Sequence, residues 1–182
     1  ITTTLLQLAK AYSIIVNGGY DIKPSLIKNL NNNYRKKILK EGVSEKILPI
    51  LRKIVTTKEG TASLANVNGY EVGGKTGTAE MINGSGGFQK HSNLSSFVGA
   101  FPINNPQYLI LVLIENPKPQ IKKLNHHFTT GGQVAAPVVR EIVKKIAPIL
   151  NIHPVVTDLP KIEQSLKLEI LSNKVRLTNA SL

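Results

Sequence analysis

The middle of the chain contains three short segments with strand-like patterns, separated by strong turn signals. They span residues 71–78, 95–102 and 107–115. The glycine-rich residues 83–87 break the first from the second, and residues 104–106 are few enough to join the second and third as a hairpin. The last segment has a continuous Leu/Ile/Val run, which is typical of a strand buried on both faces. The pattern predicts three antiparallel strands at the centre of the fold.

Amphipathic segments on both sides of this region predict three flanking helices. Apolar residues recur at spacings of three and four over residues 4–16 and over residues 44–58, where Ser44 is the expected N-cap. A third helix is expected after Gly132, with Pro137 in its first turn. The predicted class is therefore α/β of the α+β type, with helices around a small antiparallel sheet.

The charge of the chain is strongly basic but unevenly distributed. Lys and Arg number 23 against 11 Asp and Glu, a formal net charge of +12 over 182 residues. Residues 61–120, however, hold three basic and three acidic side chains. Aromatic residues make up only 5% and Trp is absent, whereas single-stranded nucleic-acid binders stack bases on aromatic side chains. We therefore expect that no nucleic acid is a partner. The basic flanks are instead expected to face an anionic surface outside the protein.

Two features of composition limit the chemistry and the location. The sequence has no Cys, which excludes thiolate catalysis, disulfides and Cys-based zinc sites. Its longest apolar run, residues 108–114, is far shorter than the roughly 20 residues that a membrane helix needs. We expect no membrane segment in this chain. His126 and His127, with His91 and His153, show no metal-ligand spacing, so no metal and no cofactor are predicted.

One glycine-rich segment satisfies two incompatible motifs. Residues 69–76 fit G-x-x-x-x-G-K-[ST], the phosphate-binding loop of nucleotide hydrolases. Lys75-Thr76-Gly77 is also the Lys-Thr-Gly triplet of serine acyl transferases that act on penicillin-like amides. A phosphate loop must follow a buried strand and open a helix, and neither the residues before Gly69 nor those after Thr76 favour this. The strand interpretation is preferred, with a nucleotide-binding protein kept as an alternative.

A strand would give each residue of this segment a chemical role. Alternation places Thr76 and Thr78 on one side, where two hydroxyls can hold a substrate carboxylate, while Lys75 projects to the other. Gly77 leaves room for a substrate backbone to lie along the strand. The backbone N–H of Thr78 can then donate into an oxyanion hole. A non-catalytic interaction module with an ordinary exposed edge strand is the second alternative.

The segments around this triplet resemble one known family in order and spacing. They are similar to the C-terminal part of the transpeptidase domain of class B penicillin-binding proteins, and most like the septal, cell-division branch. Leu5 departs from the family, which usually has Pro there. The similar segments are residues 1–9 with 17–19 and Pro24, residues 60–62, residues 73–79, residues 95–102 with 105–106, and residues 131–138.

The resemblance implies a fold, an activity and a location. The fold would be the penicillin-binding-protein transpeptidase or beta-lactamase-like fold, in which this chain supplies three of five antiparallel strands. Residues 1–154 would be the C-terminal part of that domain, and residues 155–182 an appendage of unknown structure. The activity would be peptidoglycan D,D-transpeptidation through an acyl-enzyme on a serine. Its partners would be the stem peptide, beta-lactams and membrane proteins of the division machinery, on the periplasmic side of the bacterial inner membrane.

The same resemblance assigns site residues and leaves out the nucleophile. It implies that Lys75 and Thr78 are catalytic and that Thr76, Gly77 and Thr78 bind substrate. The family's nucleophile and Ser-x-Asn motifs lie upstream of the helix over residues 4–16, and no Ser-x-Asn occurs in this sequence. The one Ser-x-x-Lys match starts at Ser25 in a loop and is expected to be coincidental. We predict that the chain alone is inactive and needs the N-terminal part of the domain as its partner.

Overall fold

The computed structural model describes residues 3–27, 36–82, 88–118 and 129–155. Within these ranges the elements are three helices, α1 (Leu5–Val16), α2 (Val43–Thr56) and α3 (Gly131–Ile149), and three strands, β1 (Gly73–Ile82), β2 (Phe88–Phe101) and β3 (Tyr108–Glu115). A short 3-10 turn lies at Ser63–Ala65. The expected mixed fold with three strands and flanking helices is confirmed.

The three strands form one antiparallel sheet in the order β1-β2-β3. Thr76 lies opposite Phe97 in the first ladder, and Phe97 lies opposite Val112 in the second. Both connections are hairpins, so neighbours in sequence are neighbours in space. Among the described residues, β1 and β3 are consequently the two edge strands.

Each face of the sheet packs against different helices. On one face, Phe97, Phe101 and the β3 residues Ile110 and Val112 pack against α3, where Val139 is fully buried. On the other face, a smaller cluster is lined by Ala100 of β2, Val16 of α1, Leu51 of α2 and the nearby Ile103. The sheet is therefore the middle of three layers, as the period-2 alternation of its side chains requires.

The strand boundaries differ from the sequence expectation at the first hairpin. The prediction ended the first strand at Thr78 and began the second at Ser95, but β1 runs on to Ile82 and β2 starts at Phe88. Ladder pairing continues to Ile82 opposite Phe88, past an irregularity after Glu80. Backbone pairing within the hairpin, rather than an apolar pattern, sustains this extension.

Two helix starts were also predicted wrongly. The N-cap of α2 is Gly42, in the left-handed region with φ 77°, whereas Ser44 lies inside the helix with a buried hydroxyl that has no hydrogen-bond partner. Helix α3 begins at Gly131, so Pro137 lies in its second turn rather than its first. There its ring removes the hydrogen bond that would otherwise reach the carbonyl of Gln133. Helix α1 begins as expected, with Thr4 and Gln7 forming a capping box.

Two subjects of the sequence analysis fall wholly or mainly outside the described residues. The proposed appendage over residues 155–182 lies there except for Val155, and so do His126 and His127. In the part of the chain that is described, no helix is long and apolar enough to cross a membrane.

Candidate active site

The Lys-Thr-Gly triplet lies within an edge strand. Lys75, Thr76, Gly77 and Thr78 occupy the third to sixth positions of β1, which continues to Ile82. A phosphate-binding loop needs a helix to begin at this point, because the first turn of that helix supplies the N–H groups. The strand therefore excludes the nucleotide-binding alternative.

The two threonines and the lysine lie on opposite faces of the sheet, as the alternation predicted. Thr76 and Thr78 pair with Phe97 and Ser95, which face α3, while Lys75 pairs with Val98 on the other face. The exposed Lys75 side chain bends along the strand, and its Nζ donates to the carbonyl oxygen of Thr76 at 2.8 Å. The same Nζ is 3.4 Å from Thr76 Oγ1. A positive charge therefore lies beside the first threonine.

Both threonine hydroxyls are held by groups that the sequence prediction did not name. Thr76 Oγ1 lies 2.9 Å from Thr61 Oγ1, and Thr78 Oγ1 accepts the backbone N–H of Gly131 at 3.1 Å. A hydroxyl can donate one hydrogen bond while it accepts others. The Thr78 hydroxyl thus keeps its proton for a ligand, and its accepting lone pair is oriented by the start of α3.

The outer edge of β1 carries the backbone groups of Thr76 and Thr78. Just beyond the ladder of β2 and β3, the N–H of Asn116 donates to the carbonyl of Asn93 at 2.8 Å. This bond shows that the backbone groups of Asn93 point toward β3. Because backbone groups alternate in direction along an antiparallel strand, the even-numbered residues of β2 direct their N–H and C=O groups toward β1. Their partners are the odd-numbered residues of β1. The N–H and C=O groups of Thr76 and Thr78 therefore point away from the sheet, where a ligand backbone can reach them.

The start of α3 lies directly against this part of the sheet. A Cβ on Gly131 would be 2.1 Å from the Ser96 carbonyl oxygen, and a Cβ on Gly132 would be 1.9 Å from that of Thr61. The Ser95 hydroxyl donates to the Thr129 carbonyl, and Asn93 Nδ2 donates to Thr129 Oγ1 at 3.0 Å. Glycines at the first two helical positions permit this approach, and the polar contacts on β2 fix its geometry.

The electrostatics of the site favour a negatively charged group. The N-terminus of a helix carries a partial positive charge, and α3 has no acidic residue in its first turn to compensate it. That end of α3 contacts Thr78, and the Lys75 ammonium contacts Thr76 on the neighbouring part of the strand. Two hydroxyls between two positive groups can hold a carboxylate.

The other candidate residues that the sequence analysis named do not belong to the Lys75–Thr78 site. Ser25 is exposed in a loop, where its hydroxyl accepts from the N–H of Ile27 at 3.0 Å and donates to the carbonyl of the same residue at 2.8 Å. This is a local turn contact. Glu80 and His153 are exposed. Over the described ranges, no group of three or more His, Asp or Glu side chains is placed to hold a metal ion.

Two of the relatives in curated collections match most of the chain. A peptidoglycan D,D-transpeptidase FtsI homolog from Mesostigma viride is 32% identical over 182 residues, covering 87% of this chain and 29% of the relative. A probable peptidoglycan D,D-transpeptidase FtsI from Caulobacter vibrioides is 35% identical, covering 81% and 26%. The chain thus spans less than a third of the length of these two relatives.

Solved structures with the same fold include transpeptidase domains. The apo transpeptidase domain of Burkholderia pseudomallei penicillin-binding protein 3 superposes with a TM-score of 0.71 at 30% identity, covering 85% of this chain and 45% of that one. A Mycobacterium penicillin-binding protein 3 complexed with ampicillin gives 0.67 at 26% identity, covering 87% and 37%.

The family assignment follows from a match over most of the chain. The family model described as "Penicillin binding protein transpeptidase domain" matches residues 1–144, from before α1 into the second half of α3. The match includes all three strands and the Lys75–Thr78 site. This chain therefore belongs to the penicillin-binding protein transpeptidase domain family.

Proposed function

We propose that this chain supplies the carboxylate-binding and oxyanion side of a serine D,D-transpeptidase site that cross-links peptidoglycan. The observation that carries the proposal is the edge strand β1, with the Thr76 and Thr78 hydroxyls on one face and their backbone groups on the open edge. Family membership and the D,D-transpeptidase names of the relatives support the reaction type.

In the proposed reaction, a stem peptide ending in D-Ala-D-Ala lies along β1. A serine oxygen attacks the carbonyl carbon of the penultimate D-Ala, the peptide C–N bond breaks, and the terminal D-Ala leaves with a proton on its amine. An amine of a second stem peptide then attacks the resulting ester, which forms the cross-link and restores the serine hydroxyl. The serine belongs to a segment outside this sequence.

The residues of β1 would contribute to binding and to charge stabilisation. Thr76 and Thr78 hold the terminal carboxylate, and Gly77 leaves space for the ligand backbone. The Thr78 N–H donates to the oxyanion, a contribution that is typically worth about 100-fold to 1,000-fold in rate. The Lys75 ammonium stabilises negative charge beside the reacting serine.

Ligands, partners and location follow as parts of the same proposal. A beta-lactam carries a carboxylate beside a reactive amide, so the same groups would bind it; relatives have been solved with ampicillin and with aztreonam. The assembled enzyme would act on the periplasmic side of the bacterial inner membrane with membrane proteins of the division machinery. Residues 1–154 would form part of the catalytic domain, and residues 155–182 an appendage to it.

A pair of ligands that differ only at the carboxylate tests this site. We expect an acetylated peptide ending in D-Ala-D-Ala to bind the chain more tightly than the same peptide ending in the D-Ala amide, as measured by NMR titration. In the double variant Thr76→Val and Thr78→Val, which keeps the side-chain shape, the difference should disappear. Thr56→Val, an exposed substitution on α2, is the matched control. Equal affinities for acid and amide in the unsubstituted chain would contradict the proposal.

A further inference from the structure

Thr61, in the segment between α2 and β1, places a hydroxyl against the candidate site. Its Oγ1 atom lies 2.9 Å from Thr76 Oγ1, although the two residues are 15 positions apart in the sequence. Thr61 is exposed and Thr76 is half-buried, so a ligand on the open side of β1 can approach the pair. The proposed function gives Thr76 a role in binding the substrate carboxylate and gives Thr61 none.

The end of α2 fixes the backbone on both sides of Thr61. The N–H of Ala62 donates to the carbonyl oxygen of Ile54 at 3.1 Å, and Ala62 is fully buried. On the other side, a Cβ on Gly60 would lie 2.3 Å from the same carbonyl oxygen, so Gly60 packs directly against α2. Because the residues before and after it are held, Thr61 presents its hydroxyl to β1 from a preorganised backbone.

The hydrogen bonds of Thr76 determine which hydroxyl of the pair donates when a ligand is bound. Either Thr61 or Thr76 can be the donor in the contact between them. The Lys75 ammonium, 3.4 Å from Thr76 Oγ1, can only donate. A carboxylate only accepts hydrogen bonds, so a carboxylate on Thr76 takes the single proton of that hydroxyl. Thr61 is then the donor to Thr76, and consecutive hydrogen bonds of this kind polarise and strengthen one another.

We propose that Thr61 is a positioning residue that donates a hydrogen bond to the Thr76 hydroxyl and so directs the Thr76 proton to the ligand carboxylate. This inference rests on the proposed function, in which Thr76 holds that carboxylate. A hydrogen bond to an ionised acceptor is about twice as strong as one to a neutral acceptor. Thr61 therefore contributes to the preference for an acid over its neutral amide more than to peptide binding in general.

The test measures the ratio of two affinities, that of the acetylated D-Ala-D-Ala peptide to that of its C-terminal amide, by NMR titration of the full chain. We expect Thr61→Val, which keeps the side-chain shape, to lower this ratio about threefold to tenfold, the usual effect of one lost hydrogen bond. Thr61→Ser keeps the oxygen and should restore the ratio, whereas a role in packing alone would give no such rescue. Thr56→Val, at an exposed position of α2, is the matched control and should leave the ratio unchanged.

Two outcomes would overturn this inference while the proposed function stands. The first is a chain that prefers the acid and keeps the same ratio in Thr61→Val, or in Thr61→Ala if the valine variant does not fold. The second is a further loss when Thr61→Val is added to Thr76→Val. No further loss is expected there, because the hydroxyl that Thr61 positions is already absent. A further loss would place Thr61 in direct contact with the ligand.

Failure of the proposed function gives a different result. The unsubstituted chain would then bind the acid and the amide equally, which would overturn both proposals before any variant is compared.

Discussion

Gly132 shows how closely the start of α3 approaches the candidate site. A Cβ at this position would lie 1.9 Å from the carbonyl oxygen of Thr61 and 3.5 Å from Thr76 Cγ2. The clash with Thr61 is with backbone, which cannot rotate away as the end of a side chain can. The contact between Thr61 and Thr76 hydroxyls therefore depends on the absence of a side chain at residue 132.

We predict that Gly132→Ala destabilises the fold by about 1–3 kcal/mol, the usual cost of overpacking a buried position. Urea unfolding followed by circular dichroism measures this change. The control is Gln133→Ala, which removes an exposed side chain from the next position of the same helix turn and should stay within about 0.5 kcal/mol. A Gly132→Ala variant as stable as the control would show that α3 can move away from Thr61 at no cost.

Single residues also show which part of the site could be predicted from the sequence. Lys75, Thr76 and Thr78 were found because their order is a short motif, and strand alternation placed their side chains correctly. Thr61 and Gly131 were missed because their contacts with the two threonines span 15 and 53 positions along the chain. Only tertiary packing brings such pairs together. The roles given to Lys75, Thr76, Gly77 and Thr78 stay predictions.

At the scale of elements, β3 is an apolar strand on an open edge. Its side chains from Tyr108 to Ile114 are only partly buried, and among the described residues no strand pairs with its outer side. An unpaired, hydrophobic edge is a template for association with another chain.

We predict that the chain self-associates as its concentration rises and that Leu113→Lys reduces this association. Leu113 pairs with Ser96 on the face away from α3, where a lysine would place a charge beside the open edge. Sedimentation velocity over a concentration series measures the effect. Val138→Lys, an exposed position of α3, is the control and should associate like the unsubstituted chain. A chain that stays monomeric throughout the series would refute the prediction.

Elements with an apolar pattern were easier to predict than those held by backbone pairing. The last strand was placed within one residue, because its Leu/Ile/Val run and the short turn before it define both ends. The hairpin of β1 and β2 was predicted too short, because residues 79–82 and 88–94 mix apolar and polar side chains without a sustained alternation. The N-cap of α2 was missed because Gly42 caps through a left-handed backbone conformation rather than through a side chain.

For the whole molecule, the proposed function makes the fold and the site one side of a catalytic cleft. The chain covers 45% of the Burkholderia transpeptidase domain that it resembles, and its sheet has two open edges in the described residues. The Lys-Thr-Gly strand is one of these edges, and the sequence contains no Ser-x-Asn motif and only an exposed loop serine in a Ser-x-x-Lys pattern. The central claim is that substrate recognition lies here and that the attacking serine does not.

Covalent labelling by a fluorescent penicillin tests this claim most directly, because labelling requires both parts of the cleft. The 182-residue chain alone should give no labelled band after denaturing electrophoresis. Fused behind the upstream part of the Caulobacter relative's transpeptidase domain, it should label. Lys75→Ala should slow that labelling by about 100-fold or more. Lys118→Ala, an exposed lysine after β3, should not.

The predicted result is therefore labelling that needs both the upstream segment and Lys75. Stable labelling of the chain alone would contradict the account, because it would require a nucleophile within these 182 residues. A fusion that is folded by circular dichroism and yet stays unlabelled, or that labels equally well without Lys75, would contradict it as well.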